Sequence, residues 1–394
     1  MSTRVLIGFA DAFAAIESAW SLADAGHEVF AFARRGTSPP LAASRRVRVV
    51  PVTAPEEDAA ACVADIVNLA RRLGTAVVLP LDDLAVWVAD RTDLRVAGPT
   101  GKEAAFALDK RLQVEAAAEA GFAVPAHSET GPWIVKAALA AVEKDNKLIR
   151  PGGRVANTEA DIARATEALA GPVLVQQHLT GTGEGVFGFA TPDGVHAWSA
   201  HRRVRMADPR GSASSACRSV PVDEEVRRRA ERLLANIGWR GMFMLELLRD
   251  GAGTPWFMEI NGRPWGSMAL ATRRGFAYPD WAVEQALGPA FVPEPPDPEP
   301  PHILCRHLGR ELIHLAAVLR GPIADYPGPW PGRAATLAAL RPSRADRWYN
   351  LRPGERRVFW RDTRSTLAAQ AARMTPTTRM NRMNRMNRTK RSAS

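Results

Sequence analysis

Cysteine is scarce. The 394 residues hold three, Cys62, Cys217 and Cys305, too few and too scattered for a disulfide framework or a zinc cluster. No CxxC pair occurs, so they are expected to be buried or idle thiols. No run of about 18 apolar residues appears, so no membrane-spanning helix is expected. The opening MSTRVLIGFADAF has one early base, and Asp11 interrupts its apolar stretch. It reads as a first β-strand rather than a signal peptide, and the protein is expected in the cytoplasm. The turn after that strand is GFADA, not GxGxxG. A dinucleotide-dependent oxidoreductase therefore lacks its fingerprint.

Positive charge is unevenly placed. The net charge is +10, and residues 375–394 carry six bases and no acid. The rest is only mildly basic and lacks an aromatic–basic stripe, so it is not a nucleic-acid platform. The closing RMNRMNRMNRTKRSAS repeats in threes without aromatics and is expected to be a disordered basic tail, residues 375–394. Nucleic-acid binding through that tail is a rival function.

The 46% hydrophobic and 24% charged content suits a globular chain, and the length suits two or three packed units. Short apolar runs at 4–9, 27–34, 46–52 and 76–81 alternate with helical stretches. This rhythm predicts a parallel, helix-covered α/β domain over residues 1–99. A helix is expected over 109–121 and a strand at GPWIVKA. The segment KLIRPGGRVAN (147–157) is expected to be a hairpin, and Thr158 with Asp161 a capping box. Strands follow at 171–179 and on both sides of Pro-Asp-Gly in 186–206, then a helix over 223–237 and a second hairpin over 241–263. An α+β body over 105–290 results, in two lobes of about 105–180 and 181–290. Beyond the proline-rich 293–302, residues 302–374 read as a helical C-terminal region.

The stretch WFMEINGRPWGS, residues 256–267, places Glu259, Asn261 and Arg263 after an apolar run. In MFMLELL, Glu246 stands on the partner strand of the same expected hairpin. Folded antiparallel, the two strands bring both glutamates to one face, with Asn261 two residues on and on that face too. Two like charges there repel unless neutralised. A hard divalent cation such as Mg²⁺, which takes oxygen ligands and keeps room for phosphate, would neutralise them. The forked guanidinium of Arg263 matches phosphate or carboxylate oxygens. A solvated edge hairpin is the alternative, and the flanking apolar runs disfavour it.

Glu246, then twelve residues, then Glu259-Ile-Asn261 resembles the metal-binding signature of the ATP-grasp superfamily. The continuation GRPWGS is similar to the branch of carbamoyl phosphate synthetase and the carboxylate–amine ligases, where the text is closer to EINPRFWGS. Here Gly262 replaces the proline and Pro264 the aromatic residue. The resemblance covers about residues 1–290. It implies an ATP-grasp fold preceded by a parallel-sheet pre-ATP-grasp domain. It also implies ATP and Mg²⁺ (or Mn²⁺), with Glu246, Glu259 and Asn261 holding the metal and Arg263 catalytic. Lys110 and Lys136 would grip phosphates, Gln176 and Gln177 would flank the adenine, and the backbone of Gln177 and Leu179 would read its edge. Gln177 stands where the family often has glutamate. Glu184, in GTGEG, would meet the ribose. From the arginine-rich segment 200–219, Arg203 and Arg218 are candidates for an anionic substrate, and GSASSA for a mobile lid. The implied activity is ATP-dependent coupling of a carboxylate, an amino acid or small peptide, to an amine through an acyl phosphate. A nucleotide-binding chain without catalysis is the alternative, and a homodimer stays open.

Overall fold

The computed structural model describes residues 3–211, 213–288, 290–297, 300–322, 330–343 and 346–374. The basic tail expected at 375–394 lies outside them. The chain opens with β1 (Arg4–Gly8), α1 (Ala15–Asp24), β2 (Glu28–Arg34), β3 (Val47–Val52), α2 (Ala59–Leu73), β4 (Val77–Pro80) and α3 (Asp83–Ala89). The four strands are all parallel, in the order β3-β2-β1-β4. Strands covered on both faces read as unbroken apolar runs, and β1, β2 and β4 do. Asp58 caps the first turn of α2, and Gly74 ends it at φ 61°, where glycine alone is unstrained. Asp82 caps α3. The carboxyl ends of β1, β2 and β4 therefore converge on Phe9, Arg34 and Asp82.

Next come α4 (Lys102–Leu108) and α5 (Lys110–Glu119), with Asp109 ending one and capping the other. A small lobe follows: β5 (Trp133–Ala137), β6 (Val142–Lys144), β7 (Lys147–Ile149), β8 (Gly153–Ala156), α6 (Glu159–Ala168) and β9 (Val173–Gln177). The capping box of Thr158 and Asp161 forms as expected. The hairpin expected over 147–157 does not. Instead β7 pairs back onto β6 through Asp145 and Asn146, both at positive φ, the two-residue turn that suits a twisted hairpin. The strand after Pro-Gly-Gly joins β5, giving the sheet β8-β5-β9.

A large sheet is built from β10 (Thr182–Thr191), β11 (Gly194–Met206), β12 (Ser214–Val220), α7 (Glu224–Ile237), β13 (Gly241–Arg249) and β14 (Pro255–Asn261) with its connecting helix. The chain then runs through α8 (Met268–Arg273), α9 (Tyr278–Leu287), β15 (Leu304–Arg306), α10 (Leu308–Arg320), α11 (Arg333–Leu340), β16 (Asp346–Trp348) and α12 (Arg356–Met374). Sheet order is β14-β13-β10-β11-β12-β15-β16. The C-terminal region is helical, as expected, and it also lends two strands to this sheet. Part of GSASSA, expected as a lid, is the start of β12, hydrogen-bonded to β11.

Buried ion pairs lock the C-terminal region in place. Arg306 is 1% exposed and donates to Glu311 at 2.9 Å and Asp346 at 2.7 Å. Glu17 of α1, equally buried, accepts two bonds from Arg273 and one from the Asn350 amide. All three cysteines are buried and free.

Candidate active site

Glu246 and Glu259 stand directly opposite one another in the β13–β14 register. Opposed residues in an antiparallel pair share a face. Two carboxylates so placed need cations, and each has one. Lys110, at the start of α5, donates from Nζ to Glu259 Oε2 at 2.6 Å, and Arg203 of β11 donates from Nη2 to Glu246 Oε1 at 2.5 Å. Burial opposes the charge on Lys110, but Glu259, with help from Asp83 and Glu246, outweighs it and holds its pKa above the usual lysine value. Burial likewise resists ionisation of Glu259, and Lys110 overcomes it, so that carboxyl lies below its ordinary range.

Arg203 must cross β10 to reach β13, and glycine lets it. A Cβ on Gly183 would stand 2.6 Å from Arg203 Cδ; one on Gly185 would stand 2.5 Å from His201 Cε1. The glycines of GTGEG therefore make a groove for two side chains of the neighbouring strand. His201 fills its part of the groove, with Nδ1 2.9 Å from Ser267 Oγ. Burial, reinforced by Arg203, pushes its pKa down to about 3, so it is neutral.

Gln113 of α5 pins β14 in place, accepting from the Ile260 amide at 3.1 Å and donating to the carbonyls of Ala107 and Phe106. The next residue, Asn261, is buried, and its side-chain amide has no hydrogen-bond partner among the described residues. Arg263 donates from Nε to Asp83 Oδ1 at 2.8 Å, and Arg150 reaches the other oxygen at 3.1 Å. Burial alone would favour a neutral Asp83, but Arg263 pulls its pKa below normal. Gly262 is explained by Trp239, whose ring lies 2.5 Å from where a Cβ would be. Trp265 packs between Phe187 and Tyr278 and anchors the loop.

Lys136 is the last but one residue of β5 in the small lobe and forms no ion pair among the described residues. Burial pushes its pKa down to about 8, with repulsion from Lys110 adding, although Glu259 and Glu246 pull the other way. Those influences put it beside the paired glutamates.

Three expected residues, Glu184, Arg218 and Gln176, are placed otherwise. Glu184 neighbours Gly185, which pairs with Glu246, so strand alternation sends Glu184 to the opposite face. There it is buried between Arg202 and Arg249, each at 2.9 Å. Arg218 pairs with Arg202 in register and shares that far face, so it does not join Arg203. The Gln176 side chain is buried and donates to the Pro125 carbonyl at 2.9 Å, tying β9 to the preceding loop. The backbone amide of Gln177 is already given to the Ala126 carbonyl at 2.8 Å, so it is not free to read a base. Leu179, half-buried, follows in the link from β9 to β10.

The structure adds residues to which sequence reasoning gave no role. Asp11, Phe13, Arg34, Glu56, Asp82, Arg150 and Gly266 join Arg263 in lining a cavity of about 400 Å³ beyond the carboxyl ends of the parallel strands. Arg34 binds Asp11 at 2.8 Å and Glu56 at 2.9 Å, reaches Asp82 at 3.5 Å, and lies over the Phe9 ring. The sequence signal was LPLDD, two acids ending an apolar strand. Another three-residue group, His27 with Asp280 and Glu284, lies elsewhere, between the start of β2 and α9.

The family model described as "ATP-grasp in the biosynthetic pathway with Ter operon" matches residues 193–304, which include Glu246, Glu259, Asn261 and Arg263. No curated protein matches the chain. Among solved structures, the chain is similar to the L-amino acid ligase from Bacillus licheniformis. Identity is 15%, over 73% of this chain and 74% of that one, with a TM-score of 0.53. It is also similar to the biotin carboxylase domain dimer of Hydrogenobacter thermophilus 2-oxoglutarate carboxylase, solved with MgADP, ADP and bicarbonate. There the identity is 14%, over 77% and 74%, with a TM-score of 0.59. N5-carboxyaminoimidazole synthetase from Staphylococcus aureus with ADP gives 13%, over 75% and 79%, and 0.53. The resemblance read from the paired glutamates stands: the chain has the ATP-grasp fold.

Proposed function

We propose that this ATP-grasp chain is an ATP-dependent ligase that activates a carboxylate as an acyl phosphate and couples it to an amine. The observation that carries the proposal is the register pairing of Glu246 with Glu259, surrounded by Lys110, Lys136, Arg203 and Asn261. The carboxylate pair and the amide oxygen of Asn261 fit a hard, oxygen-seeking cation. Glu246, Glu259 and Asn261 would hold Mg²⁺ or Mn²⁺, which when bound supplies charge neutralisation on the triphosphate.

The chain's own groups account for the rest. Phosphoryl transfer asks mainly for positioning and electrostatic stabilisation. Lys110 and Lys136 approach from two different elements and suit a triphosphate laid over the large sheet. Arg263, held by Asp83, presents its remaining donors at the mouth of the cavity, where an acyl phosphate would form. A substrate carboxylate oxygen attacks the γ-phosphorus and ADP leaves. The amine then attacks the acyl carbon, phosphate leaves and the amine gives up a proton. An amino acid or small peptide suits the cavity volume, and use of ATP suits the cytoplasm.

The test is ADP release with pooled amino acids as carboxylate and amine. Mg²⁺-dependent turnover that Glu259→Gln abolishes is the expected result. Turnover unaffected by Glu259→Gln would remove Glu259 from the metal site and the reading with it.

A further inference from the structure

Arg310 is a half-buried cation in this region without an ion pair among the described residues. Arg34, Arg203, Arg205, Arg263 and Arg306 each hold at least one carboxylate. Arg310, on α10, donates from Nη1 to the Ser214 carbonyl at 3.1 Å, and no carboxylate is within ion-pair reach among the described residues. Its guanidinium stacks 3.5 Å from the centroid of Phe13. A ring face holds the guanidinium in plane, but leaves its edge donors free. Burial pulls its pKa down to about 10; Tyr349, Asp362 and Cys217 oppose this, and the charge of Arg203 adds to it. The free donors of Arg310 therefore suit a negative charge from outside the chain.

Its position says whose charge that is. Phe13 lines the same cavity as Arg263 and Gly266. On the other side Arg203, held by Glu246, is close enough to act on Arg310. So Arg310 stacks on a residue of the cavity wall, on an element that the sequence placed in a helical region of no stated role. The triphosphate already has Lys110 and Lys136, and the carboxylate to be activated has Arg263. A further anion is what remains to be matched.

We propose that Arg310 binds a second substrate carboxylate, one that is not activated, so that the amine substrate is an amino acid rather than ammonia or a simple amine. The proposal rests on the ligase reading and sharpens it. A forked guanidinium stacked on a ring is fixed in plane and can take a carboxylate in bidentate fashion. Holding the carboxylate of the incoming amino acid would leave its amine directed at the acyl carbon and keep the two carboxylates from exchanging roles.

The test is ligand-observed NMR on the full chain, with and without MgADP. Each of the twenty proteinogenic amino acids is compared with its own carboxamide. Wild type should bind at least one amino acid, and its carboxamide at least roughly tenfold more weakly, since the amide leaves a charged group unmatched. Arg310→Gln should erase that preference, and Arg310→Lys should keep part of it. MgADP affinity should be the same in all three, which also reports that the variants are folded. No binding by any member of the panel, equal binding of acid and amide, or a preference that survives in Arg310→Gln would overturn the proposal. So would weaker MgADP binding in Arg310→Gln, which would assign Arg310 to phosphate. The ligase reading fails separately, by loss of Mg²⁺-dependent ADP release in wild type.

Discussion

Glu246 and Glu259 face one another across β13 and β14, and each is neutralised by a cation from a different element, Arg203 from β11 and Lys110 from α5. The site is thus electrostatically closed before any ligand arrives. A ligand cation must compete with two ion pairs, and the released Arg203 and Lys110 become available to anions.

Glu259→Gln removes one carboxylate while leaving Lys110 and Lys136 half-buried. Activity should fall by at least roughly a hundredfold if the charge is required for phosphoryl transfer. Stability should also fall, by about 1–3 kcal/mol, because the lysines lose their nearest anion. Urea unfolding and ADP-release rates measure the two effects separately.

Lys136 gives a pH signature. Its folded pKa, about 8, lies below the free value of 10.5. Between those values the unfolded chain binds more protons, so this residue makes stability rise with pH there, and its penalty is complete below about pH 8. Lys136→Met should therefore raise Tm at pH 7, and the gain should vanish by about pH 10.5. The same variant should weaken ATP binding. A Tm at pH 7 that falls instead would show that Lys136 has an anion of its own.

Asp83→Asn should act mainly through Arg263, leaving both glutamates in place. Arg263 would lose its 2.8 Å partner and its fixed direction. The expected outcome is a kcat lowered by roughly 10–100-fold with the apparent affinity for MgADP unchanged. Steady-state kinetics with an independent nucleotide titration would check this.

Gly262→Ala would drive a methyl group into the Trp239 ring, 2.5 Å away. Overpacking of this kind costs about 1–3 kcal/mol, and it would shift Asn261 and Arg263 on either side. A lowered urea midpoint with an unchanged m-value is expected. Wild-type stability would mean that Trp239 moves aside freely.

Much of this was legible in the sequence because it depends on local period. Strand alternation put Glu246, Glu259 and Asn261 on one face, and Thr158 with Asp161 announced its own cap. Alternation also gave the means to see that Glu184 and Arg218 face away. What was missing was the register of β10 against β13, which no single strand carries. The hairpin at 147–157 failed for a related reason: Pro-Gly-Gly looks like a turn, but Asp145 and Asn146 meet the positive φ that the two-residue loop demands. Asp83, Gln113 and Arg310 act across 180, 147 and 96 residues of chain respectively, to Arg263, Ile260 and Ser214. Contacts at that range leave no periodic mark. The strands β15 and β16 are three residues each, too short to show alternation.

The most direct measurement is metal-dependent nucleotide binding by calorimetry, comparing wild type with the double variant Glu246→Gln, Glu259→Gln in MgADP and in ADP with chelator. The account predicts that wild type binds MgADP more tightly than ADP and that the double variant has lost this difference. Equal dependence on Mg²⁺ in both proteins would contradict it.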